Sequence, residues 1–459
     1  MMTKKTEKIH RINGVKVRFS EKKITAYGGF SLLAMFFEKI NFKQALSGLM
    51  PIVEISPNAM KAEEKLLGFV TLMITGASRF SHMLYLGNPE IIKTVFGLKR
   101  LPLAATTLTR YFNKIQNTEQ VDQLSEGIWG YLKKVVDWTK IEADWLSFDS
   151  TVITRYGEQE GAERGYNPTK RGRPSHHPLL AFLNGSKIVL NLWNRSGNTS
   201  SANNIIAFFE SCYHRVSKLI KIKGVLADSG FYMESFIEAI ESKGLNYVIT
   251  AKLYSTIQRK IYETSTWTEI ETGLAITEFN YQHPMWGKAR RYIVVRQSIK
   301  KRKKALGRQL RLFDMELDTH DHRYGIWVTN MTEDPLTVWR TIRLRSNDEN
   351  IIKELKEDLA LEGFSMTQFW ATEAAMLIRC LVYNVLLVFK THFLSETERT
   401  QRISTIRFKY FIIPAHLGRD SSSDWLRLSA FPQACRAKIQ DIMDRISVYS
   451  IPNFQLQCS

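Results

Sequence analysis

Three acidic residues stand in sequence contexts that could support metal-dependent chemistry. Asp149 interrupts the apolar and β-branched run 145–153, which predicts a buried strand. Asp228 ends the apolar run 224–227 before a small-residue turn, and Glu349 lies in a helical pattern. Each acid alone is typical of a solvated strand end or helix surface. A buried carboxylate is costly unless something compensates it, so together the three predict a site for hard divalent cations such as Mg²⁺.

The composition favours a polyanionic partner. The chain has 459 residues, 44% hydrophobic and 11% aromatic, which is ample for a globular protein of two to four substructures. Lys plus Arg number 64 against 45 Asp plus Glu, which gives a net charge of +19. Nucleic acid is the first candidate partner. A membrane surface is second, but no long basic amphipathic helix stands out.

Cysteine usage and hydropathy point away from secreted and membrane proteins. The four cysteines are scattered without a Cys-x-x-Cys pair, which predicts neither a disulfide framework nor a zinc knuckle and suits a reducing cytosol. The basic start of the chain lacks an apolar segment, so we expect no signal peptide. The most apolar helix, around residues 369–393, contains charged residues and is interpreted as a buried core helix.

The first third of the chain, residues 1–138, predicts a mostly helical domain. A polar, basic arm precedes a series of helical patterns. The predicted helices are 29–40, 58–75, 89–96, 106–116 and 121–136. Helix 106–116 carries Arg110 on a polar position and could be the second helix of a helix-turn-helix, with side chains that reach base edges. The alternative is an ordinary amphipathic helix with a solvated face.

From residue 139 the patterning changes to strands. A polar segment, 155–177, follows the Asp149 strand and is interpreted as a basic loop that contacts phosphate or is simply solvated. Its cations are Lys170, Arg171 and Arg173. His176 and His177 end the segment. They could be metal ligands, but two adjacent histidines on a loop are weak evidence for that role. Contact with phosphate or simple solvation is the preferred interpretation.

A mixed α/β sheet is predicted around the two aspartate strands. Asn184-Gly185 joins the apolar runs 178–183 and 187–193, which is a strong hairpin signal. The hairpin implies antiparallel pairing, and the helical crossovers after it imply parallel pairing. The later elements are a helix at 202–219, the Asp228 strand, a helix at 234–243 and a strand at 246–251.

Residues 256–322 predict a β-rich insertion with a basic edge. Strands are expected at 266–281 and 290–297. The basic run includes Lys300, Lys301 and Arg302, for which contacts to backbone phosphates are favoured over plain solvation. Trp286 could stack on an unpaired base, but local packing is the preferred interpretation.

One later helix places three charged residues on a common stripe. Arg345 and Glu349 are four residues apart, and Lys356 lies seven beyond Glu349. An ion-pair ladder on a solvated helix is the alternative to a functional role. The remaining patterns predict the core helix, strand-like runs at 407–414 and 425–430, and a final helix at 433–446.

These motifs resemble those of the DDE transposases of bacterial insertion sequences. Phe-Asp-Ser-Thr around Asp149 and Ala-Asp-Ser-Gly-Phe around Asp228 are similar to that family's two aspartate motifs. The spacing Arg345-x3-Glu349-x6-Lys356 is similar to the branch with a Tyr-x2-Arg-x3-Glu-x6-Lys signature. Ile342 stands at the tyrosine position, which is a departure from that signature.

The resemblance implies a ribonuclease H-like catalytic core, residues 139–255 and 323–395, with the insertion before the catalytic glutamate. Asp149, Asp228 and Glu349 would hold two Mg²⁺ ions, which Mn²⁺ could replace, while Arg345 and Lys356 would hold phosphates. Such enzymes bind the terminal inverted repeats of their element as a synaptic homodimer, cut there and join the ends to target DNA. Residues 1–138 would bind the DNA ends, and residues 396–459 would contact DNA or the second subunit. A cytoplasmic, nucleoid-associated location is expected.

Two other functions fit the same residues. A hydrolytic nuclease could use this core without strand transfer. A DNA-binding protein could have lost catalysis, although all three acids and both cations of the signature are present. Metal-dependent strand scission separates the enzymes from the binding protein, and joining of the cut ends separates the transposase from the nuclease.

Overall fold

The protein is a mixed α/β protein built on one large sheet, as the sequence predicts. The structure is a computed structural model and describes residues 10–17, 21–86, 88–168, 170–298, 317–319, 322–364, 366–429 and 432–452.

Helices dominate the N-terminal third, where all five predicted helices are present and a further one, α2, was not predicted. The elements are β1 (His10–Ile12), β2 (Val15–Val17), β3 (Ile24–Thr25), α1 (Phe30–Lys39), α2 (Phe42–Leu49), α3 (Ala62–Ile74), α4 (Pro89–Phe96), α5 (Ala105–Phe112) and α6 (Thr118–Val135). Helix α4 shows why these segments are helical. Asn88 caps it through the Glu90 N–H, Pro89 opens it, and Gly97 ends it at φ +58°.

Strands and helices alternate through the middle of the chain. They are β4 (Ala143–Ser150), β5 (Ile153–Thr154), β6 (Glu163–Arg164), β7 (Pro174–His176), β8 (Leu179–Leu183), β9 (Ile188–Trp193), α7 (Ile205–Val216), β10 (Lys221–Ala227), α8 (Glu234–Glu241), β11 (Asn246–Thr250), α9 (Ser255–Glu263), β12 (Thr268–Glu271), β13 (Leu274–Tyr281), β14 (Arg290–Ser298), β15 (Leu317–Thr319) and β16 (His322–Thr329).

The last part of the chain is again mainly helical. Its elements are α10 (Pro335–Arg343), α11 (Ser346–Lys353), α12 (Phe369–Phe393), α13 (Glu396–Arg399), α14 (Ile403–Ile406), β17 (Ala415–Arg419), β18 (Asp424–Leu428) and α15 (Gln433–Val448).

The central sheet has the strand order β12-β13-β14-β16-β11-β10-β4-β8-β9, with β15 beside β16. Strands β4, β10 and β11 are parallel, and the remaining pairs are antiparallel. The predicted hairpin around Asn184-Gly185 is present as β8 and β9. The predicted combination of antiparallel pairing at the hairpin and parallel pairing after the helical crossovers is confirmed.

The β-rich region does not stand apart from this sheet. The single strand predicted at 266–281 is in fact the hairpin β12–β13, which turns at Gly273 with φ +78°. Strands β13, β14 and β16 continue the pairing out from β11, so the region extends the sheet that carries the aspartates.

Two local predictions are wrong. The segment 155–177 contains two strands, β6 and β7, rather than only a loop. Together with β5 they form a small antiparallel sheet of the order β5-β7-β6. The strand expected at 407–414 is instead a π-helical turn, Arg407–Phe411, that continues α14. Tyr410 and Phe411 are both buried there, which suits a turn packed on one side better than the alternation of a half-buried strand.

Helix α12 is the core helix that the sequence predicts. By length and composition it could cross a membrane, but its most apolar window is 94% buried within the protein. It packs on α6 and on β9. One continuous cluster of buried apolar residues runs from Phe30 in α1 to Ile446 in α15, so the N-terminal helices and the sheet share a core.

Candidate carboxylate site

The two candidate aspartates lie side by side at the ends of adjacent parallel strands. Phe148 of β4 pairs with Ala227 of β10, and the next residue on each strand is the acid. Asp149 is 9% exposed and Asp228 is half-buried. The Gly230 N–H donates to Oδ1 of Asp228 at 2.8 Å, which fixes that carboxylate at the strand end.

Asp149 carries an unusual proton affinity. Burial raises its pKa to about 8, since Arg345 only partly offsets the lost hydration and the acids Asp228 and Asp348 add repulsion. The Arg345 Nη2 atom lies 3.4 Å from Asp149 Oδ2, and the Ser150 N–H donates to Oδ1 at 2.7 Å. A divalent cation bound beside Asp149 would offset the lost hydration and favour the ionised carboxylate.

Glu349 faces the same pocket from helix α11. Its side chain is exposed, unlike that of Asp149. The two acids line an open pocket of about 460 Å³. The other lining residues are Ser150, Thr151, Ile352, Lys353, Lys356, Glu357 and Glu362.

The donor chemistry suits a hard divalent cation. Asp149, Asp228 and Glu349 offer only carboxylate oxygens, the ligands that Mg²⁺ prefers. Among the residues that the structure describes, no three His, Cys, Asp or Glu side chains are grouped closely enough to hold a metal ion. The two aspartates are the neighbouring pair, and Glu349 lines the same pocket as Asp149.

The two cations of the signature occupy different positions. Arg345 is 8% exposed at the N-terminal end of α11 and points toward Asp149. Lys356 is half-buried, and its Nζ donates to the Val152 carbonyl at 2.9 Å and pairs with Glu362 at 2.9 Å. Ile342 is 5% exposed and packs within a second apolar cluster behind the sheet, away from solvent.

The other predicted phosphate contacts lie on surfaces away from the buried core. Lys170, Arg171 and Arg173 are exposed beside the small β5-β7-β6 sheet, and Arg173 lies over the Tyr156 ring at 5.8 Å. Arg110 is exposed on α5. Lys300, Lys301 and Arg302 lie outside the described residues.

The two histidines are structural, contrary to the prediction of a phosphate-contacting or solvated pair. His176 is 0% exposed and His177 is 6% exposed. The Arg155 Nε donates to His176 Nδ1 at 3.1 Å, and His177 lies between the Thr199 carbonyl and the Ser150 hydroxyl. Burial lowers the pKa of both rings, which favours their neutral forms.

Trp286 packs against neighbouring side chains, which confirms the preferred interpretation. It is 9% exposed, its ring centroid is 4.7 Å from that of Tyr232, and the Arg290 guanidinium lies over its ring at 4.9 Å. A base could not stack on it without displacing these neighbours.

Sequence reasoning missed several residues of the site. Lys353 follows Glu349 by four residues, so helical spacing could have identified it. Asp348, Asn184 and Ser147 meet behind the pocket in a buried hydrogen-bond network. No spacing in the sequence indicates that network, because its members come from three separate elements.

With this geometry in view, the comparison with family models is decisive. The model described as "Transposase DDE domain group 1" matches residues 7–449. The chain belongs to this family. A DDE transposase domain implies an enzyme that cleaves and transposes DNA, which agrees with the acidic site and the basic composition.

The assignment to the DDE transposase family rests on the family model. No curated protein sequence matches the chain significantly. Among solved structures, the chain is similar to one described as "Cryo-EM structure of piggyBac transposase synaptic complex with hairpin DNA (SNHP)", with 10% sequence identity and a TM-score of 0.43. The match covers 95% of this chain and 89% of that one.

Proposed function

We propose that this transposase cuts DNA at the terminal inverted repeats of an insertion sequence and joins the freed 3′-hydroxyls to target DNA. The observation that carries the proposal is the placement of Asp149 and Asp228 at the ends of adjacent parallel strands, with Glu349 lining the same pocket as Asp149. These three carboxylates, from two strands and a helix, would supply oxygen ligands to divalent cations beside a pocket that is open to solvent, where a DNA backbone can enter.

The sheet supports a ribonuclease H-like core. The strand order β9-β8-β4-β10-β11 places an antiparallel meander beside two parallel strands, with the first acid on the middle strand β4. Strands β12–β15, within residues 256–322, would be the insertion between the second aspartate and the glutamate. The Arg345, Glu349 and Lys356 spacing supports the bacterial branch with the Tyr-Arg-Glu-Lys signature, with Ile342 in place of the tyrosine. The three residues do not share one regular helix, since Arg345 precedes α11 and Lys356 lies in the π-helical turn Glu354–Asp358 that follows it.

The chain's own residues supply binding and orientation for phosphoryl transfer. Bound Mg²⁺ would activate the attacking hydroxyl and stabilise the leaving oxygen. Asp149, Asp228 and Glu349 would hold the cations. Arg345, already directed at Asp149, would steady that carboxylate or a phosphate beside it. Lys356 stands on the same wall as Glu349 and offers a point charge to a phosphate.

DNA is the partner that the charge supports. A net charge of +19 favours binding to phosphates through counterion release. The exposed cations Lys170, Arg171 and Arg173 lie between β6 and β7 of the small sheet, whose first strand β5 comes directly after β4, so they would contact DNA near the scissile phosphate. The protein would act as a homodimer that pairs the two ends of the element. Its location would be the bacterial cytoplasm, at the nucleoid.

The test is the substitution Asp149→Asn in a reaction of purified protein with end DNA, target plasmid and Mg²⁺. Cleavage is expected to fall on the order of 10³-fold, since several kcal/mol of transition-state stabilisation are lost. Binding of end DNA should stay within about twofold, because the carboxylate adds no favourable contact to phosphate.

Asp424→Asn is the matched control, because it makes the same chemical change on an exposed strand, β18. It should cleave and join at the wild-type rate. Wild-type cleavage by Asp149→Asn would refute the assignment of the acid. Cleavage without joining in the wild-type protein would favour the nuclease, and tight binding without scission in Mg²⁺ or Mn²⁺ would favour the binding protein.

A further inference from the structure

A buried hydrogen-bond network fastens helix α11 to the sheet directly beside Glu349. Asp348 is 0% exposed, so its carboxylate has left water entirely. One of its oxygens accepts a hydrogen bond from the Ser147 hydroxyl, and the other accepts one from Asn184 Nδ2 at 2.9 Å. Each carboxylate oxygen therefore has a fixed partner on a strand or turn of the central sheet.

Asn184 is the centre of the network. Its Nδ2 also donates to the Leu344 carbonyl at 2.9 Å. In return, Asn347 Nδ2 donates to the Asn184 backbone and side-chain oxygens at 3.3 and 3.4 Å. The turn between β8 and β9 thus holds the start of α11 through Leu344, Asn347 and Asp348.

The network connects the two elements that carry Asp149 and Glu349. Ser147 and Asp149 are two residues apart on β4, so their side chains project from the same face of the strand. Asp348 and Glu349 are consecutive on α11. A hydrogen bond between Ser147 and Asp348 therefore ties the backbone that carries Asp149 to the backbone that carries Glu349.

A buried network of this kind restricts motion strongly. A carboxylate without its partners in the interior costs far more than the net gain of one hydrogen bond, so α11 cannot shift without breaking several bonds at once. Partners that orient metal-binding side chains are worth about 10- to 100-fold in metal affinity. Glu349 itself is exposed and has more freedom than Asp149, so its placement depends on where its helix is held.

We propose that Ser147, Asn184 and Asp348 are positioning residues that set Glu349 at its distance from Asp149 and thereby the cation affinity of the site. The inference rests on the proposed function, because it assumes that these two acids share cations. Asp348 acts through the helix that it anchors, and Glu349 is the side chain that reaches the pocket.

The experiment measures Mn²⁺ binding to the full-length protein by calorimetry, together with the Mn²⁺ concentration that gives half-maximal cleavage of end DNA. Asn184→Ala should weaken Mn²⁺ binding by about 10- to 100-fold and raise the half-maximal concentration to match. Saturating Mn²⁺ should restore most of the cleavage rate. Binding of end DNA without metal should stay within about twofold of wild type.

Ser186→Ala is the matched control within the same turn. The Ser186 hydroxyl donates to Asp144 at 2.8 Å and makes no hydrogen bond to α11. Its loss should leave Mn²⁺ affinity unchanged even if it lowers the melting temperature. Ser147→Ala provides a second, smaller change in the network if Asn184→Ala does not fold, and it should weaken Mn²⁺ binding by about tenfold.

Each outcome separates this inference from the function on which it rests. Wild-type Mn²⁺ affinity in Asn184→Ala and Ser147→Ala, with affinity lost in Asp149→Asn, would overturn the positioning role and leave the function intact. Wild-type affinity in Asp149→Asn would instead refute the proposed function. A loss in Asp348→Asn that saturating Mn²⁺ does not restore, with Asn184→Ala unaffected, would show Asp348 to be a ligand and overturn the inference.

Discussion

Single acidic residues in this protein differ mainly in how completely they are buried and what compensates them. Burial raises the pKa of Asp149 to about 8 and that of Asp348 to about 6, although Ser147, Arg345 and Asn184 counteract the rise at Asp348. Glu349, one residue further along the helix, is exposed. Asp348 and Glu349 thus differ in their surroundings, because one side of α11 faces the sheet and the other faces the pocket.

Glu398 is the acid for which the opposite shift predicts a pH dependence. Burial alone would raise its pKa, but hydrogen bonds from Lys438, Tyr410 and Ser395 overcome burial and lower it to about 2. Lys438 donates at 2.7 Å and Tyr410 at 2.5 Å to the same carboxylate oxygen. These contacts join α13 to the final helix, α15.

Because the folded-state pKa lies below the unfolded value, this contribution to stability is complete above about pH 4.5 and is lost as the pH falls toward 2. Glu398→Gln should therefore lower the free energy of unfolding by about 2 to 3 kcal/mol at pH 7. Urea unfolding of both proteins from pH 7 to pH 3 measures this difference. A gap that does not shrink below pH 4.5 would contradict the electrostatic explanation.

Among the elements, strands β4 and β10 and helix α11 decide the geometry of the site. The pairing of β10 with β4 contains an irregularity between Ile222 and Gly224, after which the register brings the two aspartates level. A Cβ at Gly224 would lie 2.4 Å from the Asn246 carbonyl oxygen and 2.5 Å from the Trp145 ring. Glycine is therefore required where β10 passes between its neighbours.

Gly224→Ala should lower the free energy of unfolding by about 1 to 3 kcal/mol, because backbone atoms have to move to admit the methyl group. Gly130→Ala makes the same change in α6, where a Cβ would meet nothing within 4 Å. That control should stabilise the protein by about 0.5 to 1 kcal/mol, as alanine does within a helix. Equal effects of the two substitutions in chemical denaturation would show that the close approach at Gly224 is unimportant.

At the scale of the whole molecule, distant parts of the chain complete each other's packing. Strand β3 near the N-terminus pairs with β17, and the Phe36 ring of α1 lies 5.6 Å from Phe389 and 5.4 Å from Phe393 of α12. Helix α12 in turn packs on β9 of the central sheet. The predicted division at residue 138 remains a prediction, but the apolar core runs across it.

We therefore expect one cooperative unfolding transition in calorimetry, coincident by tryptophan fluorescence and far-ultraviolet circular dichroism. Phe36→Ala should lower the midpoint of that whole transition, since truncating a buried phenylalanine costs about 3 to 5 kcal/mol. Two separated transitions, only one of which responds to Phe36→Ala, would instead show that the helical part unfolds independently of the sheet.

The sequence identified the acids and the sheet because their information is local. An apolar run broken by one acid and an Asn-Gly turn are each contained within a few residues, and they led to β4 and to the β8–β9 hairpin. Helical spacing correctly placed Glu349 in a helix, α11, but Lys356 lies beyond that helix. The strand predicted at 407–414 failed for the same reason: its apolar residues suited a strand locally, but packing against the core selected a turn.

By itself, the sequence determined which residue types could do chemistry and that their motifs resemble those of the DDE transposases. Only the tertiary structure decided that the two histidines are buried supports, that Arg345 points at Asp149, and that Asn184 and Ser147 hold Asp348. These facts depend on which strands become neighbours. Hydrogen bonding and burial between residues far apart in the chain leave no regular spacing in the sequence.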